Sequence, residues 1–152
     1  MKALLNRRQF LITPALLGVT LSFARAEEPP AFGPLDAAEV KEADYLYLRR
    51  PVIIFADSAQ NPNFIRQMEL LAPYMAELER RDVILITDTS PQTPSDLRRR
   101  LRPRGFALIL MDKDWGSATR KPLPWDGREI INHIAKFPTS RQEALERNPA
   151  GR

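Results

Sequence analysis

Cysteine is absent from the 152 residues, and histidine occurs once, as His133. Without a thiol the chain can form no disulfide, carry out no thiol–disulfide exchange and offer no thiolate to a metal. It also has nothing to acylate at a lipoprotein-type cleavage site. A single imidazole excludes a zinc site built on several histidines. Acid is missing from the first 26 residues, which hold Lys2, Arg7, Arg8 and Arg25. Setting those four aside leaves 19 basic residues against 19 acidic ones, so the formal charge of +4 belongs to the leader. A neutral domain lacks the basic field that nucleic acid requires, and no nucleic-acid partner is expected.

No apolar run is long enough to span a bilayer comfortably. Phe10 to Phe23 has about the length of a signal-peptide core. A basic start precedes it, and Ala24-Arg25-Ala26 follows it as an A-x-A site. The pattern predicts export with cleavage after Ala26, leaving no membrane anchor. Asn6-Arg7-Arg8-Gln9-Phe10-Leu11 resembles the bacterial twin-arginine motif, with Asn6 where Ser or Thr is usual. An ordinary secretory signal that happens to carry two arginines is the alternative. Either route gives a periplasmic or secreted product. The expected division is a leader at 1–26, a flexible arm with a short helix at 27–44, one folded domain at 45–143 and a frayed tail at 144–152.

The domain is organised around Arg50-Pro51-Val52-Ile53-Ile54-Phe55-Ala56-Asp57. Val52 to Ala56 is apolar without a break and rich in β-branched residues, the pattern of a strand buried on both faces. Asp57 to Asn63 breaks it with turn formers. A helix follows from about Asn63 to Arg80, with Phe64, Met68, Leu71, Met75 and Leu78 on one stripe and a kink expected at Pro73. Val83 to Thr87 is a second buried strand. Thr93 is expected to cap the next helix, with Pro94 in its first position and Leu97 and Leu101 facing inward. Phe106 to Met111 is a third strand, Asp112 to Gly116 a turn, and Ser117 to Lys121 an edge strand. Asp126 caps a last helix, with Glu129 in the capping box and Trp125 stapled to Ile130. Upstream, Asp36 and Glu39 have capping-box spacing, which predicts the short helix over Ala37–Ala43.

The order is β-α-β-α-β-β-α: a parallel crossover followed by an antiparallel hairpin and a helix. That is an α/β, thioredoxin-like layout, with a single mixed sheet flanked by helices. A flavodoxin-like sheet would need more βα units. Glu69 to Leu78, with Ala72-Pro73 in the stripe, resembles the kinked first helix of thioredoxins. Counting back from Pro73 puts the redox pair at Ile65 and Met68; counting forward from the strand puts it between Ser58 and Asn61. Neither alignment supplies a thiol. A closer resemblance is to domain of unknown function 4174, carried by Arg50 to Ala56, by Arg104 to Leu110 with Lys113-Asp114, and by Phe137-Pro138 with Arg141-Gln142-Glu143. It covers roughly Leu48 to Glu143. It implies an exported protein of thioredoxin-like fold and implies no activity.

Two stretches are candidate sites. Arg98, Arg99, Arg100, Arg102 and Arg104 put five guanidinium groups in seven residues. They are either a patch for an anionic polymer or acidic partner, or a solvated helix face. Asp57, Ser58 and Asn61 lie where α/β folds bind ligands, at the carboxyl end of a central strand before a helix N-terminus. They are either a ligand loop or simple turn and cap chemistry, and the loop has no Cys, His or glycine-rich cradle. Asp112 and Asp114 read as a hairpin turn rather than a calcium loop. His133 reads as a half-buried helix residue, and Trp115 and Trp125 as packing against the last helix. No cofactor or metal is expected. The favoured function is a binding or interaction module in the cell envelope, contacting an envelope protein or anionic polymer. The alternatives are an enzyme working through the Asp57–Asn61 loop and an envelope stress protein acting as a chaperone.

Overall fold

In the computed structural model, residues 32–149 are described. The leader, its cleavage point after Ala26 and the first part of the arm lie outside the described residues. Arg50–Phe55 forms β2, and every residue of it is buried. A strand with no polar face must be paired on both edges and covered on both faces. On one edge β2 pairs in parallel with β3 (Val83–Asp88), and on the other it pairs antiparallel with β4 (Ala107–Met111). Beyond β3 lies β1 (Leu35–Asp36), parallel, with Leu35 opposite Ile86. Beyond β4 lies β5 (Ala118–Lys121), antiparallel, with Leu110 opposite Thr119. The strand order β1-β3-β2-β4-β5, with these directions, is the thioredoxin-like layout.

The alternation of side chains along each strand divides the core into two layers. Val52, Ile54, Leu85, Leu108 and Leu110 face α2 (Pro62–Leu71), α3 (Met75–Arg80) and α5 (Gly127–Ile134), meeting Leu71, Leu78, Ile130 and Ile134. Ile53, Phe55, Ile86, Ile109 and Met111 face the other way, toward Leu97 and Leu101 of α4 (Asp96–Leu101). Pro73 breaks the long helix as expected: a 3₁₀ turn over Ala72–Tyr74 separates α2 from α3. Asp126 caps α5, its carboxylate accepting from Arg128 N at 2.8 Å. Gly127 follows because nothing larger fits: a Cβ there would run into the Tyr74 ring.

Several local expectations are corrected. The Asp36–Glu39 capping box makes no helix; Asp36 Oδ1 accepts from Ala38 N in a turn, and the helix α1 comes later, at Glu42–Tyr45. The arm therefore contributes both an edge strand and a helix to the domain. Ser95, not Thr93, caps α4, accepting from Arg98 N at 3.0 Å. The tail expected to fray from residue 144 is helical over 144–147, because regular structure continues past Pro138. Pro138 occupies the first position of a further helix, α6 (Pro138–Arg147), where its missing N–H is no loss. Trp115 packs with Ile53 and Met111 on the α4 face rather than with α5. Among the described residues no helix is long and apolar enough to cross a membrane.

Candidate functional site

The carboxyl end of β2 holds the loop Asp57 to Asn61. Asn61 is the N-cap of α2, its Oδ1 accepting from Asn63 N at 2.9 Å and Phe64 N at 3.3 Å. Its side chain is engaged in capping the start of the helix. Ser58 closes the turn through its carbonyl, which accepts from Asn61 N at 3.2 Å. Among the described residues its hydroxyl has no hydrogen-bond partner, so it lacks the adjacent base that an activated serine needs. Asp57 is exposed. Across from it passes the loop after α4, where Gly105 takes φ +59°, and a Cβ on Gly105 would lie 3.6 Å from Asp57 Oδ2.

The five arginines separate. Arg98 is buried: its Nε reaches Asp88 Oδ1 at 3.0 Å, and its Nη2 reaches the carbonyls of Ala56 and Asp88, each at 2.9 Å. It belongs to the core and cannot be part of a surface patch. Arg99 pairs with Asp96 in its own helix, and Arg100 pairs with Glu42 of α1. Arg102 and Arg104 are exposed and form no ion pair among the described residues. Arg102 caps α4 in the left-handed conformation, φ 46°, with its N–H bonded to Arg98 O at 2.9 Å. Arg120 Nη1 donates to Leu101 O at 2.7 Å, tying the end of α4 to β5. The loop carrying Arg102 and Arg104 is thus anchored at its α4 end.

A second cluster, at the amino end of β2, escaped the sequence reading. Arg50 is 1% exposed. Its Nε donates to Asp112 Oδ1 at 3.2 Å, its Nη1 to Arg81 O at 2.8 Å, and its Nη2 to Thr139 Oγ1 at 2.7 Å and Glu143 Oε1 at 2.9 Å. Lys113 Nζ bridges Glu143 Oε1 at 2.7 Å and Asp82 Oδ2 at 2.8 Å. Thr139 in turn donates its hydroxyl to Asp112 Oδ1 and its N–H to Asp112 Oδ2. The available signal was Thr139 and Glu143, four apart on one face of a helix, together with a charge placed directly before an apolar run.

The carboxylates at both ends stay ionised. Burial pushes Asp88 up, but bonds from Arg98, Ser95 and Ser90 more than offset it and hold it below the usual aspartate value. Burial likewise raises Asp112, and bonds from Thr139 and Lys113 with the Arg50 charge bring it down. Glu143 follows the same logic, with Lys113 and Arg50 outweighing burial. His133, half-buried as expected, is pushed below its ordinary value by burial and by Lys121 and Lys136; its Nε2 meets Thr119 Oγ1 at 3.0 Å. Asp114 accepts from Gly116 N at 3.0 Å as a turn residue. Among the described residues no three carboxylate or imidazole groups gather as metal ligands.

The profile of the family described as "Domain of unknown function (DUF4174)" matches residues 43–143. The chain belongs to this family. Comparison with curated proteins gives no match. Among solved structures the DUF4174 chain is similar to chloroplastic thioredoxin z, at 18% identity over 59% of this chain and 81% of that one, with a TM-score of 0.47. Both buried clusters fall inside the DUF4174 match, which runs from α1 to Glu143 itself.

Proposed function

We propose that this DUF4174 domain is a cysteine-free binding module of the cell envelope that contacts an anionic partner through Arg102 and Arg104. What supports the reading is that these two guanidinium groups form no ion pair among the described residues. The other three of the run are tied up in Asp88, Asp96 and Glu42. Planar guanidinium groups suit carboxylate, sulfate and phosphate, and a loop anchored at its α4 end has less entropy to lose on binding. An enzyme would need Asp57, Ser58 and an arginine to meet in one pocket. Arg98 instead turns into the core, its Nη2 bonded to the carbonyls of Ala56 and Asp88. Export, as the leader's pattern implies, would deliver the domain to sulfated or uronic polymers and to acidic protein faces.

The test is retention on immobilised heparin and immobilised polyglutamate across a salt gradient. The parent should be held on at least one, and the double variant Arg102→Ser, Arg104→Ser should elute early. Equal weak retention of both on both supports would overturn the reading. Arg98 must be left intact, because its loss would unfold the sheet end rather than discharge a surface.

A further inference from the structure

The cluster at the amino end of β2 contains a ligand of its own making. We propose that Glu143 fills, from within the chain, a carboxylate-binding site built by Arg50 and Lys113. In this proposal α6 undocks as a unit to admit the carboxylate of an acidic peptide segment in its place.

Three observations lead there. First, α6 has ten residues and none of them is buried. Phe137, its N-cap, gives no side-chain cap, and Leu145 is 68% exposed. A helix of this length is marginal alone, and this one has no buried apolar face to hold it. Its anchorage is polar: Thr139 and Glu143 to Arg50, Thr139 to Asp112, and Glu143 to Lys113. Segments held this way open at low free energy compared with the sheet.

Second, the body of the domain keeps the site assembled when α6 is taken away. Arg50 retains Asp112 on Nε and the Arg81 carbonyl on Nη1; only its Nη2 loses acceptors. Lys113 retains Asp82. Nη2 and Nζ converge on a single point, the position of Glu143 Oε1, at 2.9 Å and 2.7 Å. With α6 away, Arg50 Nη2 lacks its Thr139 and Glu143 acceptors, and an incoming carboxylate replaces them with a charge-assisted bond.

Third, the approach is open on both sides of Glu143. One groove, of about 340 Å³, is lined by Arg50, Arg81, Ser140 and Arg147; another, of about 500 Å³, by Arg80, Asp82, Lys113, Glu146 and Arg147, the α6 residues Ser140, Glu146 and Arg147 leaving when α6 undocks. Both share Glu143 as a wall. An acidic side chain therefore has room to enter beside it, with Arg80 and Arg81 of the domain body at the rim. This site is at the other end of β2 from Arg102 and Arg104, so it stands or falls independently of them.

The experiment has two arms, both on the purified full chain. Native-state hydrogen exchange reads the opening. The amides of α6 should exchange through an opening far more frequent than that of β2, β3 and β4. Equal protection of α6 and the sheet would overturn the latch. Titration with a hexaglutamate peptide at constant ionic strength reads the site. Glu143→Gln keeps the shape but drops the charge, and it should bind the peptide at least tenfold more tightly than the parent. Lys113→Met added to it should abolish the gain. Equal binding by parent and Glu143→Gln, or a gain that survives Lys113→Met, would overturn the site. Circular dichroism of each variant confirms that its fold is retained.

Discussion

Arg98 and Asp88 meet at the carboxyl end of the sheet, Nη2 lying 2.8 Å from Oδ1 in a place that water hardly reaches. Ser95 donates to the other carboxylate oxygen at 2.7 Å, and the guanidinium lies over the Phe55 ring at 5.2 Å from its centroid. One side chain thereby ties α4 to the ends of β2 and β3. Removing one partner of a buried pair leaves the other as an uncompensated charge. Arg98→Ala is expected to cost about 3–5 kcal/mol. Arg99→Ala, which breaks an exposed pair within one helix, should stay within about 0.5 kcal/mol. Urea unfolding of the two variants checks this, and similar losses for both would contradict the assignment of Arg98 to the core.

Sequence made the local devices readable and hid the long-range ones. The apolar run Val52 to Ala56, the cap Asp126 and the break at Pro73 each act within a few residues, so pattern alone places them. Arg98, Arg99 and Arg100 look alike in a row. Only the inward stripe of Leu97 and Leu101, combined with an aspartate ten residues back at the end of a strand, separates them. Nothing local marks Arg50 as buried, because its partners Asp112, Thr139 and Glu143 are 62, 89 and 93 residues away. β1 is two residues long and carries no period, and α6 has too weak an apolar stripe to announce itself.

Stability should fall in acid, and the sign follows from both ends of β2. Asp88, Asp112 and Glu143 all have folded pKa values lowered from the ordinary carboxylate range. Unfolded, such groups titrate near 4. Their contribution is complete above that value and is lost as pH drops through the lower folded values. Lys113, lowered by burial but raised further by its bonds to Asp82 and Glu143, stays charged throughout the window. Thermal melts from pH 7 downward should therefore be flat until about pH 5 and then decline. Asp112→Asn should shrink the decline, and an unchanged profile in that variant would count against the cluster.

Gly127 and Tyr74 give a packing test. A methyl on Gly127 would enter the Tyr74 ring, where α5 begins against the 3₁₀ turn. Gly127→Ala should cost about 1–3 kcal/mol by overpacking, although alanine is the better helix former. Shortening the ring should relieve it: in the double variant with Tyr74→Leu, the two effects should fail to add by 0.5 kcal/mol or more. Additive losses would mean that the ring simply swings aside.

The loop Asp57 to Asn61 separates cap chemistry from surface charge. Asn61 holds two amides of α2, so Asn61→Ala should lose about 1 kcal/mol. Ser58→Ala and Asp57→Asn remove groups with no partner among the described residues and should each stay within about 0.5 kcal/mol. Binding should respond differently. Asp57 Oδ2 lies beside the backbone of Gly105, next to the loop that carries Arg102 and Arg104. Its charge opposes any anion approaching those arginines. Asp57→Asn should therefore raise the salt concentration needed to elute the protein from an anionic support, while Ser58→Ala leaves it unchanged. A lower elution point for Asp57→Asn would mean that the carboxylate takes part in binding, by positioning an arginine or by contacting the partner directly. The ligand loop would then have to be read as part of the surface rather than as its neighbour.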